Sequence, residues 1–328
     1  MLKAYGGGGA LVSLDVLRDP GLATQALWFD LEAPSPEELA FVTRETGLAL
    51  PKAADIVEIE SSSRLSSDGD VLTLTMPLVS RTSEGLQAGA CGFVVSPRWL
   101  VTIRLAPSLA FTRFAEAAHL VHHVEAASVF VALLEAVVDR LADALEHLRD
   151  ELDQLSHEIF HHRFAGAKGD ATIRGRKTEA ALQATLLTLG RDYEAITFLR
   201  DSQLGVGRIA GYAQGAGEWL PGPVVARLGT LEKDVASLNE YSTHLTDKVQ
   251  FLLDTTMGLI NISQNSLIKL LTLVSIVGIP PTLIAGIYGM NFHDIPELGW
   301  RYGYGYAWTI MIVSAVLPLG IFRKKGWV

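Results

Sequence analysis

The chain has 328 residues, a formal charge of -9 at pH 7, 49% hydrophobic residues and a mean hydropathy of +0.27. The acidic balance excludes the clustered Lys/Arg surface that nucleic acid requires, so no nucleic-acid partner is expected, and a single cysteine, Cys91, excludes a disulfide framework or a multi-thiolate metal site. The hydropathy is high for a soluble enzyme and low for a chain lying mostly in lipid, which describes a soluble part joined to a small membrane part.

The N-terminus, "MLKAYGGGGALVSLDVL", lacks the continuous apolar core of a signal peptide, and the front half is expected to stay in the reducing cytoplasm where it is made. Up to residue 125, "QALWFDL", "DVLTLTMPLV" and "CGFVVSPRWLVTIR" read as strands from their alternation and β-branched runs. Between them "SPEELAFVTRETGL" opens a helix, with Ser35 as cap, Pro36 at the first position and Glu38 three residues after the cap. Residues 1–125 therefore form an α/β domain, an α/β sandwich within an α+β chain.

From 126 to 223 apolar residues recur every three or four positions, interrupted at Gly166 to Gly169, which predicts a cytoplasmic helical hairpin region. The stretch "GVGRIAGYAQGAGEWLPGP", from Gly205 to Pro223, is rich enough in Gly and Pro to be expected as its turn rather than a helix interior. A third pattern runs from Val224 to Tyr288 as a long stalk helix that continues into a first transmembrane helix, ending near 290. Leu267 to Tyr288 holds one charge, Lys269, in 22 positions, enough to cross about 30 Å of hydrocarbon. A short outer loop at 291–303 leads to a second transmembrane helix at 304–322 and a basic tail at 323–328. The positive flank puts both termini inside, and Trp300, Tyr302, Tyr304, Tyr306 and Trp308 make an aromatic belt at the outer interface.

Steps of four and three along the first span give Asn261, Asn265, Ile268, Thr272, Ser275, Ile279, Thr282, Gly286 and Gly289, most of them small or polar and all near one helix face. Extended downward, the face reaches Gly258 and Asp254. Polar groups in hydrocarbon turn toward protein or a watery path, because lipid cannot satisfy them; small residues also serve helix packing, so both readings stand. Two spans cannot enclose a pore, and conduction requires several copies around a common axis. Pro280 and Pro281 remove backbone hydrogen bonds and are expected to bend the helix.

"YGMNF" followed by "IPEL" resembles the CorA/ZntB family of divalent-cation channels, whose hallmark is Gly-Met-Asn at the end of the first membrane helix. The similarity is strong over 248–328, where "LLDTTMGLINISQNSLIKLLTLVSIVGIPPTLIAGIYGMNF" looks like the family's stalk and pore helix, and looser before. It implies a funnel-shaped homopentamer in the inner membrane that carries Mg²⁺, Co²⁺ or Ni²⁺ down the membrane potential, with no catalysis. By the same resemblance Gly289, Met290 and Asn291 form the outer mouth, Asn265, Thr272 and Thr282 polar rings, Leu271 and Ile279 apolar constrictions and Asp254 an acidic ring. Mg²⁺ dehydrates reluctantly, so neutral Asn291 oxygens suit a hydrated ion. Glu297 in the loop is expected to draw cations to the mouth, alongside His293 and Asp294.

The family also senses cytoplasmic Mg²⁺ through carboxylates. Glu232 and Asp234 on the stalk are the expected pair, although Glu240, Glu58, Glu60 and Asp70 compete and no local motif separates them. The ZntB branch shares Gly-Met-Asn and provides the competing identification, a Zn²⁺ carrier that is possible with proton coupling. "HEIFH", His157 to His161, matches a zinc-protease pattern without a third ligand, so a membrane-tethered metalloprotease or metal sensor is the remote alternative. His119, His122 and His123 are expected at the surface.

Overall fold

A computed structural model describes residues 1–6, 11–57, 65–82, 85–117, 125–164, 171–291 and 295–324. The chain divides into two compact units, 1–166 with 186–253 and 167–185 with 254–328.

The first unit is built on a seven-stranded sheet. Its strands are β1 (Leu2–Gly6), β2 (Val12–Leu14), β3 (Ala26–Glu32), β4 (Leu65–Asp68), β5 (Val71–Thr82), β6 (Gly85–Val95) and β7 (Leu100–Arg104), in the order β2-β1-β3-β7-β6-β5-β4. Only β3 and β7 run parallel, pairing Trp28 with Leu100, Asp30 with Thr102 and Glu32 with Arg104. Parallel strands need both faces covered, and "LVTIR" is buried at every position. The strands expected from "QALWFDL", "DVLTLTMPLV" and "CGFVVSPRWLVTIR" are all present, with the last divided by a turn at Ser96–Trp99. β1 and β2 were not foreseen: their few residues lie beside a glycine run and carry no alternation.

One face of the sheet supports α1 (Pro36–Thr46) and α2 (Ala53–Val57), with Phe29, Leu31, Val42, Ile56, Val94, Val101 and Ile103 in the shared core. The start of α1 is the capping box that the sequence predicts: Glu38 N–H donates to Ser35 Oγ at 3.2 Å, and Ser35 N–H donates to Glu38 Oε2 at 2.9 Å. Its end is set by Gly47 at φ 71°, a left-handed conformation that glycine adopts without penalty.

The opposite face holds a polar network under α3 (Leu109–Ala117) and α4 (Ala126–Phe164). Arg104 is 2% exposed and forms a two-pronged pair with Asp30, Nε to Oδ1 at 3.1 Å and Nη2 to Oδ2 at 2.7 Å. Glu32 Oε2 lies 3.1 Å from Nη2, Thr102 Oγ1 donates to Asp30 Oδ1 at 2.8 Å, and Trp28 Nε1 donates to Thr102 Oγ1 at 3.0 Å. The guanidinium stands 4.7 Å from the Phe111 ring centre, a favourable arrangement for a cation whose buried Nη1 has no hydrogen-bond partner. Burial disfavours the charge on Arg104, yet Asp30 and Glu32 more than offset that and raise its pKa.

α4 and two longer helices complete the set: α5 (Ala171–Ala216) and α6 (Gly222–Tyr288). The expectation of a turn over Gly205–Pro223 is corrected here, because helix continues to Ala216 and the turn occupies only 217–221. Two of these helical glycines, Gly205 and Gly207, are contact points. A Cβ on Gly205 would lie 2.8 Å from Met76 Cβ and 3.0 Å from Pro77 Cδ on β5, and one on Gly207 would reach 3.4 Å from Val235 Cγ1 on α6. Val206, Ile209, Ala210 and Ala213 are fully buried around them. Tertiary packing outweighs a propensity loss of about 1 kcal/mol per glycine. α4 and α6 are linked by Arg227 with Glu135, and by Lys248 Nζ to Asp153 Oδ1 at 2.6 Å.

In the second unit α6 runs through to Tyr288 as one helix with Pro280 and Pro281 inside it, followed by a 3-10 turn at Pro296–Gly299 and by α7 (Gly303–Lys324). Both helices contain windows of high mean hydropathy, 2.1 and 1.8, with no buried residue in either window. The segments 166–169 and 293–294, the glutamates at 58 and 60, and the histidines at 119, 122 and 123 lie outside the described residues.

The contact glycine is testable against propensity. Gly205→Ala should destabilise the folded chain by about 1–3 kcal/mol through overpacking, whereas Gly190→Ala, with nothing within 4 Å of the new Cβ, should stabilise it by up to about 1 kcal/mol; thermal denaturation in detergent reads both signs. Asp30→Ala leaves Arg104 buried without its main partner and should cost about 3–5 kcal/mol in the same assay.

Candidate functional site

The residues expected to carry function lie along α6. Asp254, Asn261, Asn265, Ile268, Leu271, Ile279, Thr282 and Gly286 are exposed, and Thr272 and Ser275 are half-buried. At about 100° per residue most of these fall on one side of the helix, with Leu271 at its flank. Ile268, Leu271 and Ile279 are 61%, 68% and 62% exposed, large apolar side chains on a face otherwise made of small or polar groups.

Five predicted residues, Met290 among them, meet in one groove. Ser275, Ile279, Thr282 and Gly286 line an open depression of about 700 Å³, together with Gly278, Leu283 and Met290. Small side chains at 275, 278, 282 and 286 leave the hollow, and Val274, Leu283 and Ile287 form its edges. Asn261, Asn265, Ile268 and Thr272 lie on the same helix below it and Asp254 lower still, outside the groove. Sequence reasoning had not included Gly278 or Leu283. The signal was available, since Gly278 stands one turn from Ser275 and from Thr282.

The hydroxyls on this face have a defined polarity. Thr272 Oγ1 donates to Ile268 O at 2.8 Å and Thr282 Oγ1 donates to Gly278 O at 2.7 Å. Each hydroxyl has thereby committed its hydrogen to the backbone, so what it offers outward is a lone pair. Just below Thr282, Pro280 and Pro281 carry no N–H for the carbonyls of Ile276 and Val277. The middle of the span therefore presents oxygen acceptors and few donors.

The helix terminates at the Gly-Met-Asn triplet. Gly289 N–H still bonds Ala285 O at 2.9 Å, then Met290 N–H bonds Ile287 O at 3.2 Å, tightening the last turn. A Cβ on Gly289 would press to 3.0 Å from Ala285 O, so the glycine is explained by closeness to the turn below it. Asn291 follows, exposed and beyond the helix, where its carboxamide is free of the helical ladder. Glu297 lies in the 3-10 turn before α7. Trp300, Tyr302, Tyr304, Tyr306 and Trp308 are all exposed, with Trp300 and Tyr306 rings 5.6 Å apart.

The expected regulatory carboxylates are placed apart from this face. Glu232 is exposed and accepts from Gln214 Nε2 at 3.3 Å, while Asp234, two residues on, is exposed on another side of α6. His157 and Glu158 are exposed on α4. Among the described residues no three His, Cys, Asp or Glu side chains are arranged to hold a metal ion.

The family described as "CorA-like Mg2+ transporter protein" matches residues 23–324. The magnesium transport protein CorA of Escherichia coli K12 is 31% identical over 305 residues, covering 92% of each chain, and that of Salmonella typhimurium LT2 is equally similar. The complete structure of the CorA magnesium transporter from Methanocaldococcus jannaschii superposes with a TM-score of 0.75 at 19% identity, covering 100% of this chain and 99% of that one. The ZntB cytoplasmic domain from Vibrio parahaemolyticus gives 0.55 at 12% identity over 79% of this chain and 97% of its own, a likeness of fold. A matched span of nearly the whole chain, joined to a groove-bearing helix that ends in Gly-Met-Asn, places this protein in the CorA-like Mg²⁺ transporter family.

Proposed function

We propose that the chain is a divalent-cation transporter that carries Mg²⁺, and with it Co²⁺ or Ni²⁺, into the cell down the membrane potential. The observation that carries this reading is the acceptor-rich face of α6 leading to Asn291. Supporting it are the two curated magnesium transport proteins at 31% identity.

One helix face cannot enclose water, so conduction needs several copies around an axis, and the resemblance to the CorA family sets their number at five, a homopentamer of α6 faces. The chain sits in the inner membrane with about 267–290 and 304–322 as spans, 291–303 outside, and 1–125, 126–223, the stalk from 224 and the tail 323–328 in the cytoplasm. Mg²⁺ arrives with its waters, whose O–H groups point outward as donors. Asn291 carboxamide oxygens accept from that shell without stripping it, with Gly289 and Met290 shaping the mouth and Glu297 raising the local cation concentration. Farther in, Thr282, Ser275, Thr272, Asn265 and Asn261 supply further acceptors, and Asp254 an anionic exit. Ile279, Leu271 and Ile268 close the path by dewetting when the helices draw together.

The driving force is adequate without a nucleotide. Moving two charges through -100 mV releases about 4.6 kcal/mol. Regulation by cytoplasmic Mg²⁺ is assigned to Glu232 and Asp234 acting with carboxylates of a neighbouring copy, since one chain provides only a divergent pair. A Zn²⁺ carrier of the ZntB kind, which rests on the shared Gly-Met-Asn triplet and a likeness of fold at 12% identity, ranks second.

Two substitutions test the face. Asn291→Ala should abolish Mg²⁺ uptake into proteoliposomes at imposed negative potential while the oligomer, read by size and light scattering, stays intact; undiminished uptake overturns the mouth. Thr282→Val keeps shape and removes the acceptor, and should lower Mg²⁺ flux roughly tenfold, equivalent to about 1.4 kcal/mol of lost hydrogen bonding to the hydrated ion. Running the same vesicles with Zn²⁺ and a pH gradient separates the second reading.

A further inference from the structure

We propose that Asp192, facing His147 and Glu151 across the contact between α5 and α4, is a proton-operated latch: neutral, it packs between the helices, and ionised, it loosens them. This inference goes beyond the transport reading and uses no residue of the membrane spans.

Three observations carry it. Asp192 is 6% exposed, and its Oδ2 is buried without a hydrogen-bond partner, an arrangement that a neutral acid tolerates far better than a carboxylate. Its neighbours Leu189, Ile196 and Leu199 are almost fully buried, so the carboxyl lies in an apolar helix seam. On α4, His147 Nδ1 and Glu151 Oε2 stand 3.6 Å apart, one turn of helix from each other and partly exposed, so the seam opens onto a titratable surface pair.

The charges acting on Asp192 are few. Burial pushes its pKa up to about 6, Glu151 adds to the rise, and His147 opposes it. On α5 itself Arg191 and Glu194, within two residues in sequence, are turned to other sides of the helix, and among the described residues Glu151 and His147 of α4 are the titratable groups of another element that act on it. The sign follows from linkage. An acid whose folded pKa is raised contributes its full stability below its ordinary pKa, and that contribution is lost as pH rises through about 6. Acidification of the compartment holding this unit therefore tightens the α4–α5 contact, and a return to neutral pH relaxes it.

Hydrogen–deuterium exchange of the full-length protein in detergent, corrected for intrinsic rates, reads the latch on peptides covering 145–152 and 188–196. In the native chain, opening should increase about tenfold between pH 5 and 7.5. Asp192→Asn should remove that dependence and hold the seam closed throughout. Glu151→Gln should move the midpoint to lower pH, and His147→Gln to higher pH. A profile unchanged in Asp192→Asn overturns the proposal. So does a profile that disappears in EDTA, which would make a bound cation the trigger. Retained slope in both neighbour variants, with shifts in the stated directions, distinguishes the latch from a general acid effect on folding.

Discussion

Lipid offers no hydrogen bonds, and that constraint organises the second unit. Every backbone group in the spans must be satisfied within a helix, and every polar side chain must find a partner or water. α6 answers most of both demands in one element, the carbonyls of Ile276 and Val277 excepted. Thr272 and Thr282 turn their hydroxyl hydrogens into the helix, and the oxygens remaining share a side with Asn261 and Asn265. Two prolines interrupt the ladder where the groove lies. A face turned to lipid would exclude hydroxyls and carboxamides, so this side of α6 turns either to protein or to water.

The soluble unit solves a different problem by the opposite means. Water is available, yet the Asp30–Arg104 pair is withdrawn from it, which is costly unless nearly every donor and acceptor is matched. The match is provided by parallel pairing of β3 and β7, which brings Asp30 beside Thr102 and Glu32 beside Arg104. The aromatic groups Trp28, Phe93, Phe111 and Phe130 seal that side of the sheet. A network of this kind specifies register, because a one-residue slip would bury the charge without its counterion.

Between these extremes lie the long helices, where glycine does unexpected work. Gly205 and Gly207 give α5 close access to β5 and α6, and the segment is buried rather than looped. Composition alone treats such glycines as breakers, since a single sequence does not display the neighbour that occupies the missing side chain's volume. The buried Asp192 escaped notice for the same reason: in the sequence it is one acid among many on an amphipathic helix, and only the packing of α4 on α5 removes it from water.

The sequence by itself determined whatever depends on local periodicity and covalent chemistry. The capped start of α1, the strands around the sheet's centre, the two nearly uncharged spans, the one-sided stripe of α6 and the Gly-Met-Asn terminus were all legible, because each is set by residues within a few turns of one another. Tertiary structure decided what depends on neighbours distant in the chain: β1 and β2 as strands, the sheet order, helix through Gly205–Ala216 and the partner of Arg104. Free energies of burial and close packing belong to pairs of surfaces, and a surface acquires its partner only when the chain has folded.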